Sequence, residues 1–292
     1  MMNQEQLQRM ISGKGFIAAL DQSDSSTSQV KENDRVPSDS YPNEQKMHAL
    51  HLRMLTHPHF NGTYILGVIL SQNMMDCKIE GEYVTDYLWH RKRILSFSKI
   101  DVGLTEPSHQ VQRMTPIDDL EMQLSHAKER HVFGTGMRSV IHGADVNGIQ
   151  AIVDQQFALA RQIAKAGLIP ILEPEIDIHI SDKAGAEKIM HYEIAKQFRT
   201  LPEDMKIILR ISIPTVTDTY LDLMEDSHVV RIIALSGGYS QKEANHLLSQ
   251  NKGLIASFSR AFAEGLSTQQ SDEAFDKTLQ RSIHKIYEAS NS

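Results

Sequence analysis

Apolar residues gather in eight short runs along the chain, at residues 15–20, 64–70, 94–100, 131–137, 168–172, 206–213, 229–235 and 253–258. Between these runs the apolar positions spread out to helical spacing. In the clearest case Ile149, Ile152, Val153, Phe157, Ala160, Ile163 and Ala164 recur at three- and four-residue steps, and Gly167 closes the segment before the next run begins. Eight strand-like runs, each followed by an amphipathic helix, predict an α/β chain folded as a single (β/α)8 TIM barrel. A doubly wound sheet would also alternate, but it rarely needs eight strands, and no Gly-x-Gly-x-x-Gly turn follows the first run. No low-complexity linker divides the 292 residues, so one domain spanning 1–292 is expected. A long polar stretch at 22–44 follows the first run directly, on the face where barrels bind substrate; it reads as a substrate loop or as a disordered segment.

Composition narrows the function classes. The net charge is −7 with no basic cluster, which argues against nucleic acid as a partner. One cysteine, Cys77, leaves no internal disulfide, and neither it nor the 14 scattered histidines form a zinc-ligand spacing. His57 and His59 flank Pro58, which breaks helical spacing, so solvated histidines are the expected reading and no metal or other cofactor is expected. The first 13 residues are polar, without the apolar core of a signal peptide, and no stretch is long enough to span a membrane; a cytoplasmic location follows as an expectation.

Polar residues concentrate where the predicted strands end, and a barrel builds its site from the ends of different strands. Asp21 follows run one, Lys99 lies in run three, Arg138 follows run four, Glu173-Pro174-Glu175 follow run five, and Arg210 lies in run six. Glu173 and Glu175 are two apart on a strand and so share a face, directed into the barrel. Crowded carboxylates compete for a proton, which suits one of them to acid–base work; equally, the pair could serve only to neutralise Arg138, Lys99 and Arg210. Runs seven and eight end in Ser236-Gly237-Gly238 and Ser259-Arg260. Barrels commonly seat a phosphate at these two ends on backbone N–H groups, and Arg260 adds a forked cation. A phosphorylated ligand is the expectation, against the plainer reading that the two glycines only turn the chain.

Three segments carry a family resemblance: 13–23 (Gly-Lys-Gly-Phe-Ile-Ala-Ala-Leu-Asp-Gln-Ser), 235–240 (Leu-Ser-Gly-Gly-Tyr-Ser) and 255–261 (Ile-Ala-Ser-Phe-Ser-Arg-Ala). With the charged residues between them, they make the chain resemble a class I fructose-1,6-bisphosphate aldolase of the shorter bacterial kind along nearly its whole length. The resemblance implies a β/α barrel that cleaves fructose 1,6-bisphosphate into dihydroxyacetone phosphate and glyceraldehyde 3-phosphate without a metal. By position it implies that Asp21 contacts substrate hydroxyls near the scissile bond, that Lys99 binds substrate, and that Arg138 is a basic group on strand four. Glu173 matches the general acid/base and Glu175 its supporting glutamate. Ser236, Gly237, Ser259 and Arg260 match the pocket for one phosphate, and Ser23 and Ser26 fall near the other.

Three positions depart from the family pattern. Arg210 stands where the resemblance places the Schiff-base lysine, Gly136 stands where it places a second lysine, and Asp24-Ser25 replaces a pair of glycines. A guanidinium stays protonated and its nitrogens are tied up in resonance, so Arg210 forms no imine. Asp24 also puts a negative charge where a phosphate would come. Lys206 is four residues before Arg210, on the order of 13 Å lower at ~3.3 Å per residue, which leaves Lys99 as the one stand-in at the right level. The sequence therefore implies a catalytically impaired relative, sensor or scaffold that binds a sugar phosphate or triose phosphate. The alternatives are an active aldolase using Lys99, or a proton-transfer enzyme acting on a phosphorylated carbonyl compound through Glu173 and Glu175.

Overall fold

The computed structural model describes residues 3–21 and 44–292; most of the polar 22–44 stretch, with Ser23, Asp24, Ser25 and Ser26, lies outside them. Eight parallel strands form the barrel: β1 (Phe16–Leu20), β2 (Ile65–Leu70), β3 (Leu95–Lys99), β4 (Gly134–Ile141), β5 (Ile169–Ile176), β6 (Ile207–Ser212), β7 (Val229–Leu235) and β8 (Ile255–Phe258). Their spatial order is β3-β2-β1-β8-β7-β6-β5-β4, and pairing of β3 with β4 closes the ring. The fold is a (β/α)8 TIM barrel.

Both faces of each strand are buried, which is why the strands read in sequence as nearly unbroken apolar runs. Ile17, Ala19, Leu95, Phe97, Ile169, Ile171, Ile208, Ile233 and Ile255 belong to the cluster that fills the barrel interior. The alternate positions, among them Phe16, Ala18, Leu20, Leu172 and Leu209, pack outward with the helices. In the helix Val146–Lys165 the predicted positions Ile149, Ile152, Val153, Phe157, Ala160 and Ile163 are buried. Leu7 and Met10 of the helix Gln4–Ser12 join the interior cluster and close the N-terminal end. Arg231 on β7 holds that helix by its C-terminal carbonyls, donating to Met10 O at 2.9 Å, Ile11 O at 2.6 Å and Gly13 O at 3.1 Å. The polar composition of the first 13 residues concealed this plug.

Two strands run past the apolar stretches that announced them. The fourth begins at Gly134 rather than at 131, because His131 turns the chain at φ +52°, and it continues through Arg138 to Ile141. The fifth continues through Glu173-Pro174-Glu175 to Ile176, with Arg138 opposite Glu173 and Val140 opposite Glu175. Opposite charges facing each other across neighbouring strands extend the ladder where apolar residues run out.

Candidate functional site at the C-terminal mouth of the barrel

The β5–β6 ladder ends at Leu172 opposite Leu209, and Pro174, two residues further on, has no N–H to continue it. The gap is bridged by Ser212, whose hydroxyl accepts from Ile176 N at 3.0 Å and donates to Ile176 O at 2.6 Å. Glu173 on β5 and Arg210 on β6 are only 3% and 5% exposed.

Arg210 Nη1 donates to Glu173 Oε2 at 2.8 Å and lies 3.9 Å from Asp21 Oδ2. The same Asp21 oxygen is 3.1 Å from Lys99 Nζ, which in turn is 3.8 Å from Asp101 Oδ2. On the other flank Arg138 Nε donates to Glu175 Oε2 at 2.6 Å and is 3.9 Å from Glu173 Oε1. The result is one alternating chain, Asp101–Lys99–Asp21–Arg210–Glu173–Arg138–Glu175. It unites six residues marked out by the sequence and adds Asp101, whose carboxylate also accepts from the Arg138 backbone N–H at 3.2 Å. Asp101 lies just past the third apolar run and was not marked out by the sequence.

Burial opposes the charge on all three cations, but neighbouring carboxylates outweigh it. Glu173, Asp21 and Asp101 hold the Lys99 ammonium well above its ordinary range; Glu175 and Glu173 do the same for Arg138, as do Glu173 and Asp21 for Arg210. Burial also pushes Asp21 up, yet Lys99 and Arg210 hold its carboxyl below its usual value. Asp101 stays above its usual value, because burial exceeds the help from Lys99. Lys206 is at the far end of the barrel, donating to Ser227 O at 2.7 Å.

Gly136 sits on β4 beside Lys99 in register. A Cβ placed there would meet Ser98 O at 3.7 Å, Ile171 Cβ at 3.9 Å and Lys99 Cγ at 3.9 Å, all ordinary contacts. The position therefore has room for a side chain.

The ends of β7 and β8 form the opposite rim. Gly237 and Gly238 adopt φ of +60° and +120°, backbone that favours glycine, and turn the chain after the buried Ser236. The Arg260 guanidinium is 4.0 Å from where a Gly238 Cβ would lie, as is His179 Nε2. Arg260 is exposed and, among the described residues, makes no hydrogen bond or ion pair; the Ser259 hydroxyl is likewise unengaged. His179 follows β5 and was not marked out by the sequence, because a single histidine in a loop carries no spacing signal.

Over 293 aligned residues the chain is 50% identical to the class 1 fructose-bisphosphate aldolase of Clostridium acetobutylicum, covering 99% of each protein. The chain belongs to the class I fructose-bisphosphate aldolase family. Two solved structures share its fold. One is fructose-bisphosphate aldolase from Plasmodium falciparum, solved in complex with TRAP and a small-molecule inhibitor, with TM-score 0.76, 18% identity, and coverage of 98% of this chain and 93% of that one. The other is Cgl0159 from Corynebacterium glutamicum, with TM-score 0.56, 13% identity, and coverage of 99% and 87%. No family model matches the chain. Among the described residues of this aldolase-family chain, no helix is long and apolar enough to cross a membrane.

A further titratable group of this aldolase-family barrel is His51, buried in the helix Glu44–Thr56. Burial pushes its pKa from 6.5 to about 4, with Asp21 acting in the opposite sense. The folded protein thus holds His51 neutral, and below pH 6.5 the unfolded chain takes up the proton first. Stability is expected to fall as the pH drops from 6.5 to about 4, by on the order of 3 kcal/mol from this residue. In acid unfolding followed by circular dichroism, His51→Leu should flatten that limb; an unchanged limb would show that His51 is not its source.

Proposed function

We propose that this protein is a catalytically impaired member of the aldolase family that binds a phosphorylated sugar or triose phosphate at the barrel mouth without forming a Schiff base. The observation that carries the reading is the placement of Arg210, buried and bonded to Glu173 at 2.8 Å, at the position where the resemblance sets the imine-forming lysine. Imine formation needs a neutral amine with a free lone pair, and guanidinium offers none at any physiological pH. Its bond to Glu173 also engages the group matched to the general acid/base. Glu173 Oε2 bonds to Arg210 and Oε1 faces Arg138, so both oxygens are turned to cations rather than to a substrate proton. That disfavours the proton-transfer alternative.

Lys99 is a poor replacement nucleophile. Its ammonium lies between Asp21 and Asp101, and the carboxylates around it oppose the deprotonation that attack on a ketone requires. Asp21 and Lys99 instead suit binding of substrate hydroxyls by charge-assisted hydrogen bonds. Ser236, Gly237, Ser259 and Arg260, whose guanidinium has no partner among the described residues, are assigned to one phosphate, and Arg138 stays paired with Glu175. Ser23 and Ser26, proposed for the second phosphate, belong to the undescribed segment.

The test is to incubate the protein with dihydroxyacetone phosphate and sodium borohydride and to weigh it by mass spectrometry. No adduct is expected between pH 7 and 9, while the same ligand raises the melting temperature and Arg260→Ala removes most of that rise. A reduced adduct mapping to Lys99 would overturn the reading in favour of an active aldolase.

A further inference from the structure

The loop after β5 leans on the turn after β7. Ile178 makes the contact: its Cγ2 is 2.8 Å from where a Gly237 Cβ would lie, and its Cδ1 3.5 Å from where a Gly238 Cβ would lie, so a side chain at 237 would push against it. Hydrogen bonds hold the loop at both ends. Asp177 Oδ1 accepts from His179 N at 2.9 Å, and Asp177 Oδ2 is 3.6 Å from His142 Nδ1. Asp182 caps the helix Lys183–Phe198 by accepting from Gly185 N at 3.0 Å. The outcome is that His179 Nε2 stands 4.0 Å from the Gly238 Cβ position, the same distance as Arg260 Nη2. Two nitrogen groups, carried by loops after different strands, thus converge on one exposed turn. Among the described residues neither the His179 ring nor the Arg260 guanidinium has a hydrogen bond or an ion pair.

We infer that His179 is a second, proton-gated cation of the phosphate subsite: charged, it joins Arg260 in holding a dianion over the Gly237-Gly238 turn, and neutral, it leaves the hold to Arg260 and the neighbouring serines. The inference rests on the proposal above that Arg260 belongs to a phosphate site. A phosphate offers oxygens on opposite sides and takes charge-assisted hydrogen bonds of about 2.7–2.9 Å, so two donors that near a common point can share one anion. Without an anion the two cations would repel each other; a dianion between them reverses the sign. It therefore favours the protonated imidazole, and affinity is highest at low pH and is lost as the pH rises through the titration of the bound histidine. The other groups around the turn are Arg260, which stays charged, and Tyr239, whose phenol burial holds above its ordinary range, with Glu243 and Glu187 behind it. Glu264 is engaged by Gln241 N at 2.9 Å, and Asp177 by His179 N. Carboxylates and phenols ordinarily titrate outside pH 6–8, which leaves His142, beside Asp177, as the imidazole to control for.

Calorimetric titration of the full chain with sulfate at pH 6 and pH 8 tests this, because sulfate stays a dianion throughout, whereas a phosphate monoester itself takes up a proton near pH 6. Wild-type affinity for sulfate should fall about fivefold from pH 6 to pH 8, the scale of one exposed charge-assisted contact. His179→Asn, a polar substitution at an exposed position, should bind at both pH values with the affinity the wild type shows at pH 8. His142→Asn should keep the wild-type slope. A flat wild-type profile, a slope that survives in His179→Asn, or a slope lost in His142→Asn instead would overturn the inference and leave the phosphate-binding reading standing, as would binding of dihydroxyacetone phosphate without binding of sulfate. If neither compound binds the wild type at either pH, both readings fail together.

Discussion

Wild-type protein is expected to show no measurable cleavage of fructose 1,6-bisphosphate, and the Arg210→Lys, Gly136→Lys double variant to exceed it by about 10⁴-fold or more, the scale on which loss of a nucleophile acts. The two substitutions are not equivalent. Lysine at 210 alone restores a nitrogen able to attack a ketone, but places it against Glu173 and Asp21, the carboxylates that hold Arg210 charged. They would keep the new ammonium protonated, so the single variant should be weak and should gain activity as the pH rises. A second lysine at 136 brings a cation to the neighbouring strand, beside Lys99, where the backbone has room for it, and a nearby cation lowers the proton affinity of the nucleophile. Gly136→Lys without a nucleophile at 210 should remain inactive. The expected order is therefore wild type and Gly136→Lys at background, Arg210→Lys low, and the double variant highest. Wild-type turnover matching that of the double variant in a coupled assay would remove the case for impairment.

Thermal denaturation should show Glu173→Gln to be strongly destabilising, by about 3–5 kcal/mol, the range for breaking a buried ion pair by deleting one partner. Glu173 is the partner closest to Arg210, at 2.8 Å against 3.9 Å for Asp21. Its amide counterpart would leave a fully charged guanidinium in the interior with only a distant carboxylate. A drop in melting temperature on the order of 10 °C corresponds to this loss. Glu175→Gln is the informative control. Glu175 is paired with Arg138, which is more exposed than Arg210, so the same chemical change should cost clearly less. Equal effects of the two substitutions would mean that burial of the Arg210 pair does not set its energetics.

The strands were legible because parallel barrel strands are buried on both faces and so appear as apolar runs, and the helix Val146–Lys165 because one buried stripe recurs at helical spacing. What the apolar run did not show was that β5 continues to Ile176, which became evident only with Arg138 and Val140 on β4 opposite Glu173 and Glu175. The helix Gln4–Ser12 was hidden for a similar reason. Its apolar residues Leu7 and Met10 are buried by the barrel floor, and its carbonyls are held by Arg231, more than 200 residues away in the chain.

By itself the sequence determined the eightfold alternation, the rank of Asp21, Lys99, Arg138, Glu173, Glu175 and Arg210 near strand ends, and the presence of a guanidinium at position 210. Those are properties of residue type and spacing, which a linear chain carries in full. Which charges pair was decided only by the tertiary structure. Arg210 could have faced solvent or any of several carboxylates, and closure of the barrel set it 2.8 Å from Glu173, placed Asp101 in the network and left Asp21 Oδ1, Arg210 Nε and Ser257 Oγ unpaired. Hydrogen bonding and ion pairing depend on distances of a few ångströms between residues far apart in sequence. Those distances exist only once strand register and barrel closure have fixed them.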